Sequence, residues 1–161
     1  LNGNVNPAAE ANIYNDPHAA DVVFTAGWPL TMVGLDVTMQ TVMSEAYLAG
    51  LKASGSRAGR FIYEISRFYQ AFHQKIYGSS DIHTHDPSAL AYLIDPSLFS
   101  VARGPVRVLT EGIAAGQTLL DQRGHWAEPN GWSAQPPVNV CLGVDAERLL
   151  ALYRERIINS P

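Results

Sequence analysis

A single cysteine, Cys141, stands among the 161 residues, so the chain has no internal disulfide and shows no adaptation to an oxidising compartment. Its place in the apolar run "VNVCLGV" favours a buried, inert thiol. Long hydrophobic runs are missing as well. No stretch approaches the roughly 20 residues that span a bilayer, and the first residues lack the basic and apolar regions of a secretory signal. The expectation is a cytoplasmic protein with no membrane partner. Positive charge is scarce: Lys and Arg number 11 against 15 Asp and Glu, for a net charge of −4. The few basic residues are scattered, which argues against nucleic acid as a partner, since phosphates are neutralised by clustered cations. A Gly-rich phosphate loop and a Gly-x-Ser-x-Gly elbow are also absent, and "SGSRAG" reads only as a loop before a helix.

What is present is an ordinary globular composition. A hydrophobic share of 47% with 16% charged residues argues against disorder, and the length suits one core, so residues 1–161 read as a single domain. "NDPHAADVVFTAG" reads as a short helix with Asp16 as cap, Pro17 at its first position and Gly27 at its end. "PLTMVGLD" reads as a buried strand ending at Asp36, and Thr41 to about Ala53 as a helix closed by Ser54 and Gly55. The longest helix is "RAGRFIYEISRFYQAFHQKIYG", stopped by Gly78. Phe61, Ile65, Phe68 and Phe72 recur in it as a core stripe. Beside them run Tyr69, His73 and Tyr77, which suit a partner surface or a cleft or, more simply, the core.

"DPSALAYLIDPSLF" repeats the Asp-Pro start, with Ala89, Leu90 and Leu93 as its apolar face and a second Asp-Pro as its stop. "VRVLTEG", "QTLLDQ" and "VNVCLGVD" read as strands, and a last helix follows Asp145. Alternating helices and strands predict an α/β fold: an open, mostly parallel sheet flanked by helices, with an antiparallel addition near residues 106 to 122.

Two polar stretches interrupt the apolar pattern. In "LNGNVNPAAEAN" the side chains of Asn4, Asn6, Glu10 and Asn12 supply donors and acceptors suited to a polyhydroxylated ligand such as a sugar. The plainer reading makes them turn and capping residues. In "DIHTHDPSA", His85 can give a proton near neutral pH and Asp86 can bind a hard cation or a hydroxyl. Here the plainer reading is a surface His beside a helix cap. His83 with His85 and Asp86 also suggests a zinc site, lacking an evident further ligand. Trp126 and Trp132 in "HWAEPNGWSAQPP" suit an aromatic lid or, more simply, a surface loop.

Together, "GNVNPAAEANIYNDPHAADVVF", "GWPLTMVGLDVT" and "HTHDPSALAYLIDP" resemble the second half of the inosine-uridine nucleoside hydrolase family along essentially the whole chain. The resemblance implies calcium-dependent hydrolysis of the N-glycosidic bond of ribonucleosides, giving ribose and free base. It implies that Asn4 and Glu10 hold the ribose 5′-hydroxyl end and Asn12 the 3′ side, and that Asp86 is a calcium ligand meeting the ribose diol. His85 falls where one subgroup protonates the leaving base and a purine-specific subgroup has Trp. His73 and Tyr77 fall near the base.

One departure counts against activity of this chain by itself. The family's N-terminal Asp-x-Asp-x-x-x-Asp-Asp pattern, which brings the general base and most calcium carboxylates, is nowhere in the sequence, and "DVT" at 36 to 38 does not replace it. The expectation is therefore the C-terminal half of the fold, lacking its N-terminal strands and inactive until a missing N-terminal half is supplied. Such a chain should self-associate, as a homo-oligomer, unless its open sheet edge is covered. The competing expectation is a truncated, non-catalytic remnant, either a folded oligomer or a sugar-binding module.

Overall fold

The structure is a computed structural model that describes residues 3–126 and 130–160. The middle of the "HWAEPNGW" segment, 127–129, lies outside the described residues. In chain order the elements are α1 (Ala11–Tyr14), α2 (Pro17–Thr25), β1 (Thr31–Met32), α3 (Leu35–Thr38), β2 (Val42–Met43), α4 (Glu45–Ala53), α5 (Arg57–Tyr77), β3 (Ile82–His83), α6 (His85–Ile94), a 3-10 turn (Pro96–Leu98), β4 (Phe99–Val108), β5 (Thr118–Leu120), β6 (Pro137–Val144) and α7 (Ala146–Ile158). They gather into two compact units. Leu1–Asp36 with Ser100–Gly143 form the first, and Val37–Phe99 with Val144–Pro161 the second.

The first unit is built on a sheet of order β1-β6-β4-β5. β1 runs parallel to β6, with Thr31 opposite Asn139, and β5 runs antiparallel to β4, with Val106 opposite Leu120. The expected α/β fold with an antiparallel addition is thus present as a mixed sheet. Alternate residues of β4 and β6 (Val106, Val108, Val138 and Val140) face one way and are buried with Phe24 of α2, and Ala20, Leu30 and Met32 pack against them. α2 starts as its sequence dictates: the Asp16 carboxylate accepts from Ala19 N, and Pro17 occupies the first turn. "PLTMVGLD" departs from expectation, for only Thr31 and Met32 pair as strand and Leu35–Thr38 turns into a helix. An apolar run marks burial, and burial serves either element.

The second unit is helical apart from the two-stranded antiparallel β2–β3 pair. Its core joins Met43, Leu48, Leu51 and Ile82 to Ile62, Tyr63 and Tyr69 of α5 and to Leu150, Tyr153 and Ile157 of α7. Leu48 and Leu51, three apart on α4, are both fully buried. Gly59 permits the α4–α5 approach, because a Cβ there would collide with the Leu51 carbonyl. α4 begins at Glu45 rather than Thr41. Ser44 caps it by accepting from Tyr47 N, and Val42–Met43 pair with β3 instead.

α5 forms as expected and ends at Gly78 in the left-handed conformation, φ 73°. Its buried face is not the expected one. Phe61, Ile65, Phe68 and Phe72 lie 61, 54, 85 and 46% exposed, whereas Ser66, Gln70 and His73 are buried. The polar face goes inward because its groups are satisfied: Ser66 donates to the Ile62 carbonyl, and Gln70 donates to Glu45 at 2.7 Å and accepts from Arg67. α6 shows the same reversal. Leu90 and Leu93 are exposed while Ser88 and Ala91 are buried. α7 follows Asp145, whose carboxylate accepts from Arg148 N. Cys141 is buried, and burial pushes its thiol up to about 11, so it is protonated and inert at neutral pH.

Candidate functional site

The two polar stretches fall on different units. In the first unit, residues 3–10 form a loop, closed by its own asparagines, that leads into α1. Asn6 Oδ1 accepts from Ala8 N and Ala9 N, both at 2.8 Å, and Asn4 Oδ1 accepts from Ala11 N at 2.9 Å. The turn-forming reading therefore describes their carbonyl oxygens. The exposed NH2 group of Asn4 and the exposed side chain of Asn12 are left for solvent or a ligand. Glu10 is half-buried, and its Oε1 accepts from Leu35 N at 2.9 Å. Burial pushes the Glu10 carboxyl up, the Leu35 N–H pulls it back, and the charge of Asp36 raises it again. Gly34 lies against the same oxygen, which a Cβ would approach to 3.2 Å. Glu10, Gly34 and Asp36 line a cavity of about 110 Å³ with Gly116, Gln117 and Cys141. That is below the roughly 300–1,000 Å³ of ordinary ligand pockets, so the cavity does not enclose a nucleoside.

In the second unit the structure brings five ring-bearing side chains together. His73 lies edge-on to Tyr69 and Tyr77, with centroids 4.4 and 5.1 Å away, and 6.0 Å from His83, which in turn stands 5.7 Å from His85. His73 is buried and Tyr77 exposed, so the two expected roles of this stripe divide between them. His83 hydrogen-bonds the Met39 backbone, yet its Nδ1 is buried without a partner among the described residues. Burial lowers the pKa of His83, and the charge of His73 lowers it further.

His85 opens α6, and Asp86 stands exposed in the first turn, where the helix dipole favours an anion. Thr84 is the N-cap residue, so Asp86 is not the cap that the plainer sequence reading made it. Thr38, at the end of α3, sets its Oγ1 2.8 Å from His85 Nδ1. Sequence reasoning missed this residue, because the contact joins positions 47 apart and no local pattern announces it. Burial pushes the His85 imidazole down and His83 adds to that, while Asp86 pulls it back up.

Could these residues hold a metal? Among the described residues, no group of three or more His, Cys, Asp or Glu is placed to bind one. Calcium takes six to eight oxygens, so Asp86 does not make a calcium site with its neighbours, and His83, His85 and Asp86 do not make a zinc site. Trp126 and Trp132 line an open cleft of about 700 Å³ with Asp121 and Arg123; Trp126 is exposed, as a surface loop requires.

The pattern of the family described as "Inosine-uridine preferring nucleoside hydrolase" matches residues 1–151. The chain belongs to that family. A probable uridine nucleosidase of Oryza sativa is 40% identical over 157 residues, 97% of this chain and 48% of that protein. A solved plant nucleoside hydrolase superposes with a TM-score of 0.93 at 41% identity, covering all of this chain and 51% of the other. A purine-preferring ribonucleoside hydrolase from Gardnerella vaginalis gives 0.83 at 33% identity, covering 98% and 48%. The chain thus spans about half the length of the relatives it matches. Among its described residues, no helix is long and apolar enough to cross a membrane.

Proposed function

We propose that the chain acts in ribonucleoside hydrolysis, cleaving the N-glycosidic bond to ribose and free base as the C-terminal part of a nucleoside hydrolase. The observation that carries this reading is the family match over residues 1–151. In it, the NH2 of Asn4, the carboxyl of Glu10 and the amide of Asn12 bind the ribose hydroxyls. His85 gives a proton or a hydrogen bond to the departing base, with His73 and Tyr77 beside it. Pulling electron density into the base weakens the glycosidic bond while positive charge builds on the ribose. Asp86 contributes one carboxylate towards calcium. The remaining ligands and the carboxylate that activates water are not among the described residues, so no step is assigned to the ion.

A second reading is a non-catalytic remnant that binds sugar, through the exposed amides of Asn4 and Asn12, or assembles as an oligomer. Calorimetric titration of this chain with calcium, followed by a reducing-sugar assay on inosine and uridine, separates the two. Silence in both, with ribose release restored by a family N-terminal half, supports the hydrolase reading. Silence that persists after that addition supports the remnant. Relatives described as uridine nucleosidases and as purine-preferring hydrolases both match, so either nucleoside class is an informative substrate.

A further inference from the structure

A neutral imidazole carries one proton on two nitrogens, and the partner of one nitrogen decides which of them holds it. For His85 that partner is the Thr38 hydroxyl, 2.8 Å from Nδ1. Thr38 is only 4% exposed, and it adjoins a group of buried hydroxyls whose protons can be followed one at a time. Ser88 donates to the Thr84 carbonyl. Thr84 donates to Thr41 Oγ1 at 2.7 Å, and Thr41 donates to the Thr38 carbonyl at 2.7 Å. Each of the three has then used its only proton. The longer approaches of Ser88 to Thr84 and Thr41, 3.2 and 3.4 Å, have no proton left to fill them.

The Thr38 hydroxyl is the one that remains, and among the described residues its sole partner is His85 Nδ1. Were Nδ1 protonated and donating to Oγ1, the Thr38 proton would be buried without an acceptor, which is the costly way to arrange the pair. With the Thr38 O–H donating to Nδ1, every proton in the group is satisfied. Nε2 makes no hydrogen bond among the described residues and is not sealed from solvent.

We propose that Thr38 is a positioning residue that fixes His85 with its proton on Nε2, an inference that rests on the leaving-group role given to His85 above. In this form His85 offers Nε2–H to the base as a hydrogen-bond donor. To hand that proton over entirely, Nδ1 must first gain one, and the Thr38 hydroxyl must turn from donor to acceptor. Thr38 therefore acts on His85 and touches no substrate itself.

Nitrogen NMR of the 161-residue chain, labelled at histidine and assigned with His85→Gln, tests the idea without requiring catalysis. Nε2 is expected as a pyrrole-type nitrogen, and Nδ1 as a pyridine-type nitrogen shifted by an accepted hydrogen bond. Thr38→Val, close to isosteric, should move Nδ1 to its unbonded position, and Thr38→Ser should keep it. Protonation at Nδ1 in the unsubstituted chain overturns the proposal, and so does a Thr38→Val spectrum with Nδ1 unmoved. Should the Val variant fail to fold, the unsubstituted chain and the Ser variant still decide. In a preparation that releases ribose, Thr38→Val should lower kcat by roughly 10–100-fold with KM little changed, and Thr38→Ser should restore it. A preparation that stays inactive after a family N-terminal half is added counts against the hydrolase reading, and the spectra still decide the tautomer.

Discussion

Asp21 gathers three donors onto one carboxylate. Arg107 Nε and one of its terminal nitrogens each lie at 2.8 Å, and Val108 N lies at 2.9 Å. The hydrogen bonds from Arg107 outweigh partial burial and hold the carboxyl below the usual range. A depressed carboxylate stabilises the fold above its unfolded pKa, near 3.9, and loses that contribution as the pH falls through its folded value. Asp21→Asn is therefore expected to cost about 2 kcal/mol at pH 7 in urea unfolding, with the difference from the parent narrowing below about pH 4. A deficit independent of pH would show that shape, not charge, matters there. For His85, replacement with Ala in a completed enzyme should slow release of poor leaving-group bases by about 10²-fold, and an unchanged rate on inosine would remove its proposed role. His85 stands out in the sequence as a candidate only through the family resemblance. Thr38 does not stand out at all, because a hydroxyl in "LDVT" acquires meaning only when folding places it against a ring 47 positions away.

α5 shows how far periodicity can be trusted. Spacing of four, three and four says that a helix has two distinct faces; it does not say which one the protein buries. The outward stripe includes Phe68 at 85% exposure, so Phe68→Ser should change the unfolding free energy by no more than about 0.5 kcal/mol. Leu51→Ala, at a fully buried position on α4, should cost about 2–5 kcal/mol. Equal losses at the two sites would contradict the burial of this helix. Helix ends were easier to read than faces. Asp16 and Asp145 hold their helix starts, and Gly78 ends α5, through contacts within a few residues, where local chemistry is enough. β1 is shorter than "PLTMVGLD" implies because an apolar run carries no mark of where pairing stops.

For the molecule as a whole, the first unit depends on contacts between distant parts of the chain. β1 pairs with β6 through Thr31 and Asn139, and Arg107 reaches back to Asp21. Ordering such long loops before any contact repays it makes folding slow. Refolding from urea, followed by tryptophan fluorescence, is expected in milliseconds to seconds, and completion within microseconds would show that local structure dominates. The α/β class was legible from alternating elements, but the division of the chain between two units was not. That division depends on which segments return to which, and composition is silent about it.

The same connectivity shapes how the chain is born. The backbone passes between units after Asp36, after Phe99 and after Gly143, so each unit is made of an early segment and a late one. At roughly 5–20 residues per second, a ribosome releases Thr31 on the order of ten seconds before Asn139. Throughout that interval Phe24, Leu30 and Met32 lack the β6 valines that later cover them, and they are available to chaperones. A nascent chain interrupted anywhere between residues 100 and 143 leaves both units unfinished, whereas one interrupted after Gly143 lacks only the late segment of the second unit.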